Sequence, residues 1–326
     1  MTVAIIGAGM AGLSAALSLQ VAGLKPVLFD KGRGPGGRMS TRRAQTPLGE
    51  VRFDHGAQFF TARDPAFVKH VEALEIQGAV AEWAARFVDI AGAGAVTPMS
   101  SERRFVGVPG MNGIIRSMAA DLDVTWQSRV YRAERDGDGW RLSFEEGDVL
   151  TGVEQLVVAV PAEQAVDLLA PLQPAFAEEA AAATSAPCWT VMLAFDAPVS
   201  TDWDAARLKQ GPLSWMARNT SKPGRGEIEA WTLHASPDWS RAHLELEPEE
   251  VVSQLTSEFR DRTGAGLPLH SAGHRWRYAQ ITQSAATPSA WDNGLKLGVC
   301  GDWRVGARVE AAWSSGTDLA RRILQA

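Results

Sequence analysis

Short apolar runs and longer helical stripes alternate at both ends of the chain. "TVAII" (2–6) is an apolar run that gives way to a glycine turn and then to "MAGLSAALSLQVAG", a helical pattern ending near Gly23. "KPVLFD" (25–30) is a second apolar run. Strand, helix and strand within about thirty residues predict a parallel βαβ unit. "ARDPAFVKHVEALEIQG" offers Asp64 as an N-cap and Pro65 in the first turn of a helix. Residues 123–161 read as several strands, with "DGDG" as a hairpin turn and "QLVVAVP" as a buried strand. "PCWTVMLAFD" and "EIEAWTLHAS" are further strands, and "EPEEVVSQLTSEFRDRTG" is a helix bounded by Pro248 and Gly264. "LKLGVCGDW" is a strand running into a loop. The last helix, "VEAAWSSGTDLARRI", sets Val309, Ala312, Trp313, Gly316, Leu319, Ala320 and Ile323 on one stripe. No internal repeat or low-complexity linker interrupts these elements.

Length and charge narrow the class. The 326 residues suit one large or two intertwined domains, and a net charge of -6 argues against nucleic acid or an anionic membrane as the main partner. No apolar run approaches the roughly 20 residues of a membrane span. The first residues lack a basic segment and are broken by glycine, so they read as mature protein rather than a signal peptide. Cys188 and Cys300 allow at most one disulfide and no metal cluster, which fits a reducing cytoplasm. Nine of the twelve tryptophans lie between Trp189 and Trp313.

The chemistry is densest near the N-terminus. "GAGMAG" (7–12) is G-x-G-x-x-G after a strand and at the start of a helix. Gly7 permits the tight turn, Gly9 lets backbone approach a pyrophosphate, and Gly12 permits close packing of helix on strand. Asp30 ends the second strand 18 residues after Gly12, where a carboxylate accepts hydrogen bonds from a ribose. Together they predict an ADP-binding unit. "GGRM" (36–39) follows, and there Gly36 and Gly37 admit close main-chain approach while Arg38 offers forked hydrogen bonds to a diphosphate. That second motif is common among flavoproteins and not required by NAD enzymes. Arg33, Arg42 and Arg43 read as surface charge. His270 and His274 are four apart, but the residues around them favour a strand and no third ligand is evident, so metal binding is not expected. Cys300 reads as a small buried residue.

"GAGMAGLSAALSL", "DKGRGPGGRMSTRR", "FDHGAQFFTARD", "HRWRYA" and "CGDWRVGARVEAAWSSG" resemble the renalase branch of the FAD-dependent amine oxidase superfamily, over residues 1 to about 320. The resemblance implies an α/β fold of the p-hydroxybenzoate-hydroxylase type. A Rossmann-type FAD-binding domain is expected from residues 1–60, 100–165 and 285–326, with a substrate domain from residues 61–99 and 166–284. It implies non-covalent FAD and oxidation of misreduced dihydro-NAD(P) isomers, chiefly the 2-dihydro form, by O2 to NAD(P)+ and H2O2. By the same resemblance Gly56, Ala57, Gln58 and Phe59 pass beside the flavin, Asp302 bonds the ribityl chain, and the helix amides near Val309 face the flavin N1–C2=O edge. Ala11, Lys31, His55 and Val130 complete the expected FAD contacts. His234 and Trp276 are implied to face the flavin ring and, with Gln58, to position substrate, with Trp215 near the entrance. Glu310 in the first turn suits a structural role equally well.

Two other readings remain at this level. A conventional amine oxidase places a lysine near flavin N5. The chain has only six lysines, none in "HRWRYAQITQS", and Lys296 falls in the strand before the cofactor loop, so it is read as departing from that pattern. A non-catalytic flavin-binding protein is the second. The sequence does not separate 2-dihydro from 6-dihydro substrates or NAD from NADP forms.

Overall fold

The Thr2–Ile6 strand lies parallel to Lys25–Asp30 on one side and Gln155–Val158 on the other. Asp123–Trp126 extends the sheet beyond Lys25–Asp30, and Leu297–Val299 extends it beyond Gln155–Val158, all parallel. Ala290–Asp292 closes that edge as an antiparallel strand. The result is a six-stranded Rossmann-type sheet assembled from three separated stretches of chain. Its central strands are buried on both faces, which is why Val3, Ala4, Ile5, Leu156 and Val157 form an unbroken apolar run. This is a computed structural model, and it describes residues 1–91, 94–285 and 287–326.

A second, seven-stranded sheet runs in the order His270–Gln283, Thr184–Phe195, Glu229–Ala235, Leu213–Arg218, Ala205–Leu208, Phe87–Ile90 and Val96–Pro98. The helix Pro248–Thr263 covers one face, burying Val251, Leu255 and Phe259 among Trp189, Val191 and Trp231. It ends at Gly264, whose φ of 69° is the left-handed C-cap conformation that the sequence pattern foretells. On the other face the hairpin Thr41–Thr46/Gly49–Asp54 packs Val51 and Phe53 on Met192, Ala194 and Ala230. The architecture is therefore mixed α/β.

The pattern-based elements recur with small shifts. Asp64 caps Pro65–Ile76 by accepting from the amides of Ala66 and Phe67. His270 and His274 stand on the edge strand His270–Gln283 of the second sheet, not on a helix. Lys296 is outside the strand in which the sequence reading put it. It sits at φ 53° just before Leu297–Val299 and bonds Asn293. The helices Asn112–Ala119, Ala162–Leu169, Pro174–Ala182 and Pro237–Ala242 escape pattern reading because none exceeds 9 residues, too short for a periodic stripe to stand out.

The first and last helices, Met10–Val21 and Val309–Leu324, cross at Gly316. A Cβ there would overlap the Ala11 carbonyl and the Ser14 hydroxyl, which itself bonds the carbonyls of Ala11 and Trp313. Gly316→Ala is expected to lose about 1–3 kcal/mol by overpacking. A thermal melt checks this, and an unshifted Tm would mean that the crossing adjusts freely.

Candidate functional site

The glycine turn is built as the dinucleotide reading requires. Gly7 has φ 104°, and a Cβ on it would stand 2.5 Å from the Ala159 carbonyl oxygen. Gly12 lies against the Gly7 carbonyl, whereas a Cβ at Gly9 would meet nothing within 4 Å, so that side stays open to a ligand. The first helix has no side-chain cap and no acid in its first turn, where Ala11 lies. Its leading amides are thus free to meet a phosphate. The Asp30 carboxylate accepts from Ala8 N at 2.8 Å and Gly32 N at 2.7 Å, holding the turn against the strand end. Val130 is buried where Ser128 N bonds the Asp30 carbonyl. Lys31 donates to Gln164 at 2.8 Å.

Arg38 and Asp302 meet across the cleft between the two ends of the chain. Arg38 Nη1 and Nη2 donate to the two Asp302 oxygens at 2.7 and 2.6 Å. This fork ties the Gly37–Met39 turn to the Asp302–Arg304 turn and leaves three of the five guanidinium N–H groups for another anion. Gly37 is at φ 54° with open space around it. The last helix begins at Val309 with no side-chain cap. Glu310 is structural: its Oε1 accepts from Arg63 N at 2.9 Å and Asp64 N at 2.5 Å.

Between these ends lies the segment Asp54–Phe60. Ala57 N bonds the Arg38 carbonyl at 2.9 Å, and a Cβ on Gly56 would overlap that same carbonyl and stand 3.5 Å from the Trp276 ring. Trp276 donates from Nε1 to the His55 carbonyl at 2.9 Å and stacks on the His55 ring at 5.2 Å. Phe59 packs 5.5 Å from Trp215, 6.1 Å from Phe87 and 6.4 Å from Trp83. The structure thus brings Gly56, Ala57, Gln58, Phe59, Trp215, His234 and Trp276 together.

Gln58 is fixed by what surrounds it. Lys222 Nζ donates to its Oε1 at 3.0 Å, so the amide must turn its NH2 to the carbonyls of Asp54 and Gly56 and to His234 Nε2, 3.3 Å away. His234 Nε2 is then the acceptor of that pair. Lys222 was not among the site residues expected from sequence. It is fully buried and also reaches Asp54 at 3.3 Å, with Arg225 Nη2 at 2.6 Å from the same oxygen. The reading that the chain lacks a lysine at its site is corrected by this geometry. The one available clue was "NTSKPGR", a turn-rich segment with two cations and no acid.

Charge in this cluster is strongly coupled. Burial pushes the Asp54 carboxyl up, but Lys222, Arg225 and the Met111 amide pull it further down, leaving it below its ordinary range. Burial lowers Lys222 to about 8 despite Asp54. His55 falls to about 3 through burial and then the charges of His274 and Arg42, and His234 to about 4 through burial and then Lys222. Cys300 is buried with its thiol raised to about 12, an inert packing residue. Among the described residues no group of three or more His, Cys, Asp or Glu is placed to hold a metal ion.

Both imidazoles are neutral in the folded protein at neutral pH. The unfolded chain takes up protons as pH falls below 6.5 while the folded chain does not, so stability is lost as pH falls toward about 4. Going from pH 7 to pH 5 is expected to cost on the order of 2 kcal/mol per imidazole. Urea unfolding of the parent and of His234→Asn at the two pH values checks it. The variant should show a smaller loss, and an equal loss would mean that His234 is not held neutral.

Comparison with known proteins agrees with this arrangement. Residues 5–74 match the model of the NAD(P)-binding Rossmann-like domain, and residues 80–324 match that of the flavin containing amine oxidoreductases. Among solved structures, a putative protoporphyrinogen oxidase from Exiguobacterium sp. 255-15 superposes with a TM-score of 0.78 at 12% identity, over 100% of this chain and 99% of its own. Wild-type putrescine oxidase bound to putrescine superposes with a TM-score of 0.74 at 13% identity, over 100% of both chains. At such identities these neighbours share the fold. Among the described residues no helix is long and apolar enough to cross a membrane. The chain belongs to the flavin containing amine oxidoreductase family, and its cofactor is FAD.

Proposed function

We propose that this protein is a cytoplasmic, FAD-dependent oxidase of misreduced dihydro-NAD(P) isomers, chiefly the 2-dihydro form. The supporting observation is the charge state of the site. Its carboxylates are engaged, Asp54 by Lys222 and Arg225, Asp302 by Arg38 and Glu310 by backbone amides. Its imidazoles are neutral, and its buried surplus is positive. An ammonium substrate finds no counter-charge there, whereas a flat, neutral dihydropyridine carrying phosphates fits the aromatic wall and the cations. Residues 1–60, 100–165 and 285–326 form the FAD-binding part in this reading, and residues 61–99 and 166–284 the substrate part. The two cysteines are free, which suits a reducing compartment.

FAD is held non-covalently by Gly7, Gly9, Ala11, Gly12, Asp30, Lys31, Gly37, Arg38, His55, Gly56, Ala57, Gln58, Phe59, Val130, Asp302 and Val309. When bound, it supplies the hydride acceptor at N5 and passes the electron pair to O2, giving H2O2. The chain's own task is placement. Gly56 and Ala57 keep the ring edge clear of side chains. The uncapped amides at Val309 offer partial positive charge where negative charge gathers on reduction. Gln58, His234 and Trp276 hold the dihydropyridine in line, which can supply several kcal/mol of the barrier. Loss of hydride aromatises the ring, so no side chain has to take a proton. A conventional amine oxidase is the second reading, favoured by the buried Lys222 beside Gln58.

Denatured protein is expected to release intact FAD. Arg38→Ala should raise the FAD dissociation constant by about tenfold or more, the scale of a charge-assisted hydrogen bond. Arg42→Ala and Arg43→Ala should change it little. Equal constants for the three variants would remove Arg38 as the diphosphate partner.

Anaerobic mixing with each dihydro isomer, with ordinary NADH and with putrescine separates the two readings. Bleaching of the flavin by a dihydro isomer alone is the expected result, and bleaching by the amine alone establishes the second reading. His234→Ala should slow reduction moderately. A loss of about four orders of magnitude, the scale of an essential catalytic group, would rule out hydride transfer without acid–base help.

A further inference from the structure

The hairpin strand Thr41–Thr46 carries Arg42 opposite Phe53, on the face that packs toward the second sheet. Phe53 stacks on His270 at 6.0 Å. His274, two pleats along the same edge strand, stands 4.8 Å from His55 and 4.5 Å from Trp276, ring centre to ring centre. One guanidinium and three imidazoles thus gather around two aromatic rings. Burial and the Arg42 charge hold His270 and His274 below 6.5, and no carboxylate offsets that charge. For His55 the nearby Asp54 does so only weakly, since its charge is already shared with Lys222 and Arg225. One ring nitrogen, His270 Nε2, is buried without a hydrogen-bond partner. An anion entering here would meet the Arg42 cation and imidazole donors with no carboxylate among the described residues to repel it at Arg42, His270 or His274.

We propose that Arg42, His270 and His274 form a subsite for the diphosphate of a dinucleotide substrate, joined to the flavin site through Trp276. The inference rests on the substrate reading given above. Trp276 supplies the continuity, because its ring lies against Gly56 on one side and against His55 and His274 on the other. A dihydropyridine placed beside Gly56 directs its ribose and diphosphate along Trp276 toward Arg42. Arg42 donates forked hydrogen bonds to phosphate oxygens, and the two partly exposed imidazoles add donors. Free phosphate shares this chemistry, so the linked nucleoside is what distinguishes the substrate's own diphosphate.

The test uses FAD-loaded protein and three ligands: ADP-ribose, inorganic pyrophosphate and the dihydro form of nicotinamide riboside, which lacks phosphate. Arg42→Ala and His274→Ala are compared with Arg43→Ala, whose side chain lies on the opposite face of the hairpin. Calorimetry should show ADP-ribose bound by the parent and weakened about 10- to 100-fold by Arg42→Ala, the scale of a charge-assisted hydrogen bond. The half-saturating concentration of the nucleoside in flavin reduction should stay unchanged. The subsite is overturned if the parent binds neither ADP-ribose nor pyrophosphate, if Arg42→Ala and Arg43→Ala behave alike, or if Arg42→Ala weakens dinucleotide and nucleoside equally. Pyrophosphate bound more tightly than ADP-ribose would overturn the assignment to the substrate and leave a free-anion site. If ADP-ribose binding depends on Arg42 but no dihydropyridine reduces the flavin, the substrate reading fails while the diphosphate subsite stands.

Discussion

The Asp54 carboxylate holds together the parts of the chain that make the site. It accepts from Thr41 Oγ1 at 2.8 Å, Met111 N at 2.9 Å, Lys222 Nζ at 3.3 Å and Arg225 Nη2 at 2.6 Å, and is itself wholly buried. Hairpin, short helix and the 219–225 loop therefore converge on one anion. Breaking such a buried pair costs about 3–5 kcal/mol, because the remaining charge has no water to turn to. The cost is structural, but its consequence is chemical. Lys222 can sit beside Gln58 only because Asp54 neutralises part of the charge it brings inside.

From that anchor the polarity of the pocket follows. An ammonium group only donates, so Gln58 must show it oxygen and turn its NH2 the other way. His234 is then met by a donor; burial keeps it neutral, and Lys222 adds a charge that opposes its protonation. The buried ion cluster thus sets the orientation of an amide and adds to the burial that keeps a neighbouring imidazole neutral. The aromatic wall of Phe59, Trp83, Phe87 and Trp215 completes the same side with groups that cannot titrate.

Local features of this fold are legible in the sequence because their causes are local. Gly7, Gly9, Gly12 and Asp30 lie within one βαβ unit, and each has a steric or hydrogen-bonding reason visible at short range. The caps at Asp64 and Gly264 are of the same kind. Lys222 is barely legible, since "NTSKPGR" shows two cations without an acid but not that their partner is Asp54, 168 residues from Lys222. Arg38 is intermediate. Its motif raises the expectation of a diphosphate ligand, but gives no sign that Asp302, 264 residues further on, is its partner. Short helices are lost for a simpler reason: burial of four residues or fewer leaves too little periodicity to read.

The four arginines of "DKGRGPGGRMSTRR" show why composition alone does not settle the role of a basic stretch. Arg38 is drawn into the cleft by Asp302, and its neighbours separate by strand geometry. Alternation puts Arg42 on the face of the hairpin where Phe53 and the imidazoles stand, and Arg43 on the opposite face, with both side chains exposed. Arg33 remains exposed on the preceding turn. A protein with a net charge of -6 can therefore still hold an anionic dinucleotide, because the field at the site comes from a few cations in a low-dielectric cleft and not from the sum over the surface. The acidic balance argues against a partner that needs a broad basic surface, but it leaves room for a small ligand with two phosphates.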